Sequence, residues 1–312
     1  MAGGPAAGRP DPPMHRTLRP NPPCAILLLA VLAATADTAP RLAAQSDPLA
    51  AVSGYFAHWY DRVDAAQASQ PGWITPLATT TPRLEEEFRY DQNRQTLANG
   101  STVDVYGAGK GLELIPTELT EIIIAVPPYQ VRRGVGPVSG VNDWPGILLK
   151  YRLLSANRKN GDYIVTVFAQ YGIPTGALVL TSHNHVFTPT LAAGKGFGDF
   201  DLQATVGEAI PTHDNSRAGR MRLGNLTAQF HLGKVFWPEL ELNGTGWHGG
   251  SRDGRSQAFL TAGLVLGRFP IGGRSKLIVG AGYQAPLSEK YARAPATPTF
   301  SHNWILSGRV TF

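Results

Sequence analysis

The chain has 312 residues, 43% of them hydrophobic and only 16% charged, with 35 Gly, 25 Pro and a single Cys. That apolar fraction excludes a wholly disordered chain, and one cysteine excludes a disulfide scaffold or a Cys-based zinc site. The formal net charge is +5, part of it in the first 44 residues, which is too weak to argue for nucleic acid as a partner.

Residues 1–44 read as a signal peptide. Arg9, Arg16 and Arg19 precede an apolar core over Ala25–Ala34, too short to span a bilayer, and Ala43 and Ala44 form a plausible cleavage site. Met14 is an alternative start. Cys24 precedes the apolar core, so it cannot act as a lipoprotein acceptor. Residues 45–80 read as a periplasmic segment with an amphipathic helix: Asp47 can cap it, Pro48 suits its first position, and Leu49, Val52, Phe56, Trp59 or Tyr60, and Val63 form its stripe. Gln70–Trp73 ends it. Such a helix would cover the periplasmic mouth, plug the lumen, lie on the inner leaflet or meet a periplasmic partner.

Residues 81–312 alternate. Trp304, Leu306, Gly308, Val310 and Phe312 share one face of a strand that runs to the last residue. Leu226, Ala228, Phe230 and Leu232 likewise oppose Asn225, Thr227, Gln229 and His231, and Leu240 and Leu242 oppose Glu239 and Glu241. Strands are predicted over 83–92, 102–115, 120–131, 144–155, 162–173, 184–193, 198–210, 221–232, 235–246, 257–268, 274–286 and 302–312. Their length is near the roughly 9–11 residues that a tilted transmembrane strand needs, against about 5–6 in sandwich strands. Links alternate between tight turns, including Gly194–Phe197, and longer loops. That pattern predicts an antiparallel transmembrane β-barrel of about twelve strands with both termini on the short-turn side. Two features sit awkwardly: Glu86 falls on the apolar parity of the first strand, and Asp104 and Lys110 on that of the second.

Inward parity collects the candidate lumen-lining residues Glu87, Arg89, Lys150, Arg152, Gln170, Asp201 and Gln203, followed by Gln229, His231, Glu239, Glu241, Lys276 and Arg309. Both signs occur, which argues against an ion-selective ring. Ile123, Ile164, Phe168, Phe259 and Ile278 make the interior partly apolar. Trp304, Tyr283, Tyr163, Tyr171, Phe230 and Tyr151 take outward parity near strand ends, as interfacial aromatics do. No catalytic, metal or cofactor site emerges. Gly107–Lys110 lacks the remaining features of a phosphate loop. His183, His185, His213 and Asp214 form an incomplete ligand set. Ser182–His183 and Ser301–His302 leave open a barrel enzyme acting on lipid, and alternation by itself leaves open a secreted β-sandwich binder.

The signal, the long alternating segments and the final Trp304-x-Leu-x-Gly-x-Val-x-Phe312 resemble Gram-negative outer-membrane β-barrels. In these the last strand is read by the barrel-assembly machinery, which makes Trp304, Leu306, Val310 and Phe312 the assembly signal by resemblance. The layout, with Trp144–Arg152 (WPGILLKYR) and Gly161–Val165 (GDYIV), resembles the outer-membrane channel proteins grouped with the meta-pathway of phenol degradation. The resemblance implies residence in outer-membrane lipid and passive uptake of small hydrophobic or aromatic solutes, with no cofactor.

Overall fold

The computed structural model describes residues 48–108, 110–213, 218–287 and 300–312. The signal segment 1–44, the Asp47 cap, Asp214 and most of the last long loop lie outside the described residues. Two helices, α1 (Pro48–Ala57) and α2 (Trp59–Ala68), stand where one was expected, with the helix interrupted at His58. Residues up to Ser53 form a unit of their own, of which only the start of α1 is described; Gly54–Phe312 form the other.

Fifteen strands follow: β1 (Glu87–Leu97), β2 (Thr102–Tyr106), β3 (Gly111–Thr117), β4 (Thr120–Ile124), β5 (Tyr129–Arg133), β6 (Val138–Val141), β7 (Trp144–Ala156), β8 (Tyr163–Ile173), β9 (Val186–Phe197), β10 (Phe200–Pro211), β11 (Arg220–Phe230), β12 (Phe236–His248), β13 (Ser256–Gly272), β14 (Ser275–Pro286) and β15 (Phe300–Thr311). Each of the pairs β2/β3, β4/β5 and β6/β7 is one stave interrupted partway, so the wall has twelve staves. All neighbours are antiparallel, and β15 pairs with β1, from Glu87 opposite Thr311 to Leu97 opposite Phe300. The fold is a closed antiparallel twelve-stranded β-barrel.

Closure leaves only the short β6 paired on one side, and the period of two then sorts the staves into an inner and an outer face. Leu226, Leu240, Leu242, Leu264, Val279, Trp304 and Leu306 are exposed on the outside, whereas Thr227, Glu239, Glu241, Thr261 and Arg309 are buried inside. Burial here is the reverse of a water-soluble domain: the polar residues are enclosed and the apolar ones form the outer surface.

Two expected boundaries move, and the residues of awkward parity find their places, each for a local reason. The first strand begins at Glu87 instead of residue 83, because Arg83–Glu86 are held within the enclosed space. Glu86 therefore never faces outward; it accepts hydrogen bonds from Trp59 Nε1 (2.7 Å) and the Ile115 amide (2.6 Å). Lys110 is turned inward by the interruption between β2 and β3, and Asp104 does lie on the outer face but is ion-paired there. The turn expected at Gly194–Phe197 sits instead at Gly198–Asp199, with Gly198 at φ +75°. Gly194 and Gly196 belong to β9, and their missing side chains serve another purpose.

That purpose is to admit Trp73. A methyl group at Gly194 would come within 3.0 Å of the Trp73 ring terminus, and one at Gly196 would overlap the Asp162 carboxylate and come within 2.8 Å of the indole nitrogen bonded to it. Leu77 uses the same device on the far wall, where methyl groups at Gly263, Gly280 and Gly282 would reach 2.6, 2.7 and 2.8 Å from its methyls. Trp73, Ile74 and Leu77 join Ile164, Trp237, Val265, Ile278 and Ile305 in one apolar cluster inside the barrel. Gly282→Val should close the Leu77 socket. Because overpacking a filled site costs roughly 1–3 kcal/mol, the variant should keep its barrel but show faster proteolysis within residues 70–86 than the parent, measured by mass spectrometry of timed digests.

Candidate functional site

Residues 70–86 form no helix and no strand, and Pro71, Pro76 and Pro82 explain why: each removes an amide donor and restricts its predecessor. A segment of this kind, enclosed by a barrel, carries backbone groups with no ladder to join, and those groups must find partners on the wall. They do.

On one side, Glu239 Oε1 accepts from the Leu77 amide at 3.0 Å, and the two oxygens of Glu241 accept from the Ala78 and Thr79 amides at 2.7 and 2.6 Å. On the other, Arg89 donates to the Pro76 carbonyl (3.0 Å) and to that of Leu77, while Arg309 donates to the carbonyls of Pro76 (3.1 Å) and Thr75. Farther along, the Thr81 hydroxyl donates to Gln203 Oε1 (2.8 Å), Thr166 donates to the Pro82 carbonyl (2.6 Å) and Lys150 Nζ donates to the Arg83 carbonyl (2.9 Å). Arg152 reaches the Ala66 carbonyl at the end of α2 (2.9 Å) and the Glu118 carbonyl in the turn after β3 (2.6 Å).

The sequence-derived interior residues thus divide. Arg89, Lys150, Arg152, Gln203, Glu239, Glu241 and Arg309 bond the N-terminal segment directly. Asp201 and Gln229 hold those partners in place: Gln203 Nε2 donates to Asp201 (3.0 Å) and to Gln229 (3.1 Å), whose own amide donates to Glu239 Oε2 at 2.6 Å. Glu87 is buried beside its cross-strand neighbour Glu113. Gln170 faces a cavity. His231 lies in the turn after β11, its ring stacked on Trp237 at 4.0 Å. Lys276 is exposed at the short-turn rim and lines nothing, since its inward parity begins before the enclosed layer does. Trp304 and Leu306 are exposed on the outer face, with Val310 and Phe312 half-buried beyond them.

Sequence reasoning missed the plug's own contributors. Arg83 donates to the Pro71 carbonyl (2.6 Å), to that of Trp73 and to Glu85 (2.7 Å); Glu85 lends its amide to Glu121 (2.6 Å); Trp73 Nε1 donates to Asp162 (3.3 Å). The available signal was the inward parity of five wall glycines, which a barrel interior has no reason to leave bare unless something fills the space.

Beyond the plug, toward the long loops, lies a cavity of about 350 Å³ whose floor is Leu77, Ala78 and Thr80. Asn93, Gln95, Gln170, Gln284 and Asn303 give it a rim of amides, Ile123, Leu148 and Ile305 an apolar wall, and Arg89, Asp91 and Lys110 bring charge into its lining. A second cavity, about 250 Å³, adjoins it at Pro145 and Gln170 and opens among Asp143, Ser182 and Asn184 at the loops. Amides that both donate and accept, beside aliphatic walls and charges of both signs, suit small amphipathic solutes.

The serine–histidine pairs do not assemble. Ser182 donates its hydroxyl to Asp143 (2.7 Å), not to an imidazole; His185 stacks on Tyr171 and His302 on Tyr283. His213 bonds its neighbour Thr212.

No family model matches the chain, and no curated protein does. Among solved structures the chain is similar to the NanC porin (6% identity, 72% of this chain and 98% of that one, TM-score 0.46). It is similar also to an outer membrane channel from Pseudomonas putida F1 (14%, 72% and 94%, 0.46) and to an anion-selective porin from Comamonas acidovorans (11%, 72% and 88%, 0.32).

Asp143 organises the loop at the cavity entrance. Burial opposes its ionisation, but the amide and hydroxyl of Ser182 and the amide of Gly176 outweigh it and hold the carboxyl below its ordinary value. A value depressed on folding gives stabilisation that is complete above the ordinary carboxylate range, about pH 4, and is lost as pH falls through the folded value. Amide exchange in residues 174–185 should therefore accelerate on acidification, after correction for intrinsic rates. In Asp143→Asn it should be already fast and insensitive to pH in that window.

Proposed function

We propose that this protein is exported and resides in the outer membrane as a channel-like barrel whose passage is gated by residues 70–86. The carrying observation is the inverted burial. Only a solvent that accepts apolar side chains accommodates an outer face of exposed Leu, Val, Phe and Trp on twelve closed staves, with polar side chains enclosed. Exposed Tyr163 and Phe230 near the short turns and Tyr171, Tyr283 and Trp304 toward the loops fit two interfacial girdles. The short-turn rim, with both chain ends, faces the periplasm on this reading, and the amide-rimmed cavity faces outward.

The solutes we infer are small and moderately hydrophobic, as the cavity's mixed lining favours and as the resemblance to the phenol meta-pathway channels implies. Glu239, Glu241, Arg89 and Arg309 act in this reading as the gate's latches, and Trp304, Leu306, Val310 and Phe312 as the strand recognised during barrel assembly.

The test is permeation. Liposomes containing the protein should swell slowly in small neutral solutes, and the rate should rise at least severalfold in Leu77→Ala and in Glu241→Ala. The first leaves a void, worth about 2–5 kcal/mol; the second strands two buried amides at roughly 1–3 kcal/mol each. Heat-modifiable gel mobility would confirm that both variants keep the barrel. Swelling indistinguishable from empty liposomes in parent and both variants would sink the channel reading.

A further inference from the structure

The outer wall carries one concave site that the passage of solutes does not use. Across β15, β1, β2 and β5 the register sets two rows on the outer face. The upper row is Trp304, Arg94 and Asp104, with Arg133 two residues along from Val131, the residue opposite Asp104; the lower row is Leu306, Gln92 and Tyr106. Together these seven residues line a groove of about 540 Å³. Below them on β1 lie Tyr90 and Phe88, both exposed.

Charge is not distributed evenly within the groove. Asp104 is 4% exposed, and both arginines turn to it: Arg133 bonds its Oδ2, and Arg94 Nε stands 3.9 Å from its Oδ1. The arginine side chains themselves are 61% and 56% exposed. One buried carboxylate therefore holds two exposed guanidiniums close together, and the site keeps a net positive charge with several N–H donors pointing away from the wall. A planar fork of donors beside a second one is the arrangement that suits phosphate oxygens.

Height along the wall identifies the source of the phosphate. Arg94 is seven residues up β1 from the short-turn rim and level with Trp304, whose ring meets Tyr283 edge-on at 4.9 Å. A strand tilted by about 40° rises roughly 2.5 Å per residue, so this row stands about 18 Å above that rim, in the upper part of an apolar band about 25 Å tall, and the arginine stems carry their charge the remaining several ångströms toward the surface. The guanidiniums are at headgroup level, and Leu306, Tyr90 and Phe88 descend from them along the region of acyl chains. Cationic above, apolar below, the groove matches the polarity of a single lipid molecule standing in the leaflet.

We propose that this groove binds a phosphorylated lipid of the outer leaflet, with its phosphate between Arg94 and Arg133 and an acyl chain along Leu306 and Tyr90. The inference rests on the membrane placement proposed above, though not on solute passage. Asp104 is a positioning residue here: it sets the spacing of the arginines without touching the lipid.

Native mass spectrometry of the detergent-purified barrel tests this, with bisphosphorylated lipid A as the probe and its fully dephosphorylated form as the comparison. Parent protein should retain the phosphorylated lipid, and Arg94→Gln/Arg133→Gln should lower its affinity by about tenfold or more. The pair Arg158→Gln/Lys159→Gln, exposed in the short turn after β7 at the opposite rim, should leave it unchanged. The single Arg94→Gln, at an exposed position, provides a milder variant should the double one fail to fold. Equal retention of the dephosphorylated lipid, equal loss in the control pair, or no loss in either Arg94 variant would overturn the proposal. Displacement of the lipid by millimolar inorganic phosphate would assign the arginines to a free anion and overturn it too. A protein that purifies without detergent and shows no heat-modifiable mobility would instead remove the membrane placement itself.

Discussion

The structure depends on the need of an enclosed backbone for hydrogen-bond partners. Residues 70–86 lie inside a closed wall, and their three prolines keep them out of any ladder. Each amide or carbonyl left unmatched there would cost roughly 1–3 kcal/mol. The wall answers with charge of the appropriate sign: carboxylates of Glu239 and Glu241 where amides of Leu77–Thr79 point, guanidiniums of Arg89 and Arg309 where carbonyls of Thr75–Leu77 point. Facing signs across the lumen are thus set by the direction of a single chain segment passing between them.

That constraint also explains why the interior carries so many ionisable groups without resembling an ion filter. Arg89 bonds Asp91, and Lys150 bonds Glu121 at 2.9 Å with both side chains fully enclosed. Buried pairs of this kind stabilise little in net terms, but removing one member is costly because the other stays buried and unpaired. Their effect is to fix where the segment sits. The glycine notches for Trp73 and Leu77 act in the same direction through shape, so polar matching and packing specify one position between them. Displacing the segment would require several of these contacts to be given up together.

Much of the barrel was legible in the sequence, because its signal is repeated in every stave. An outer face that meets a uniform apolar solvent produces a plain alternation, and Trp304–Phe312 or Leu226–Leu232 display it with few exceptions. The twelve staves and their closure follow from counting such segments. What the sequence concealed were places where a residue answers to a distant partner. Gly194 and Gly196 have the composition of a turn and are strand residues, since the space their side chains would take belongs to Trp73, more than a hundred residues earlier, and to its partner Asp162. Glu86 looked like an apolar-face error because its true partners, Trp59 and Ile115, come from α2 and β3. The inner residues were found by parity, yet parity says only which side a side chain takes. It does not reveal whether that side holds water or another part of the chain.

The same distinction separates the two faces of the wall as sources of function. Inside, most polar residues bond one another or the plug, and the amides and Lys110 around the cavity above Leu77 are placed to meet a solute. Outside, Asp104 and Arg94 place charge directly above the apolar Leu306, Tyr90 and Phe88, and an ion pair gives a lipid-facing strand nothing that an aliphatic pair would not supply equally well. Desolvating Asp104 at 4% exposure is favourable only if the arginines it holds remain solvated or find anions of their own. At headgroup height both conditions are met by the same phosphate-rich layer, whereas two residues lower, beside Leu306, neither would be.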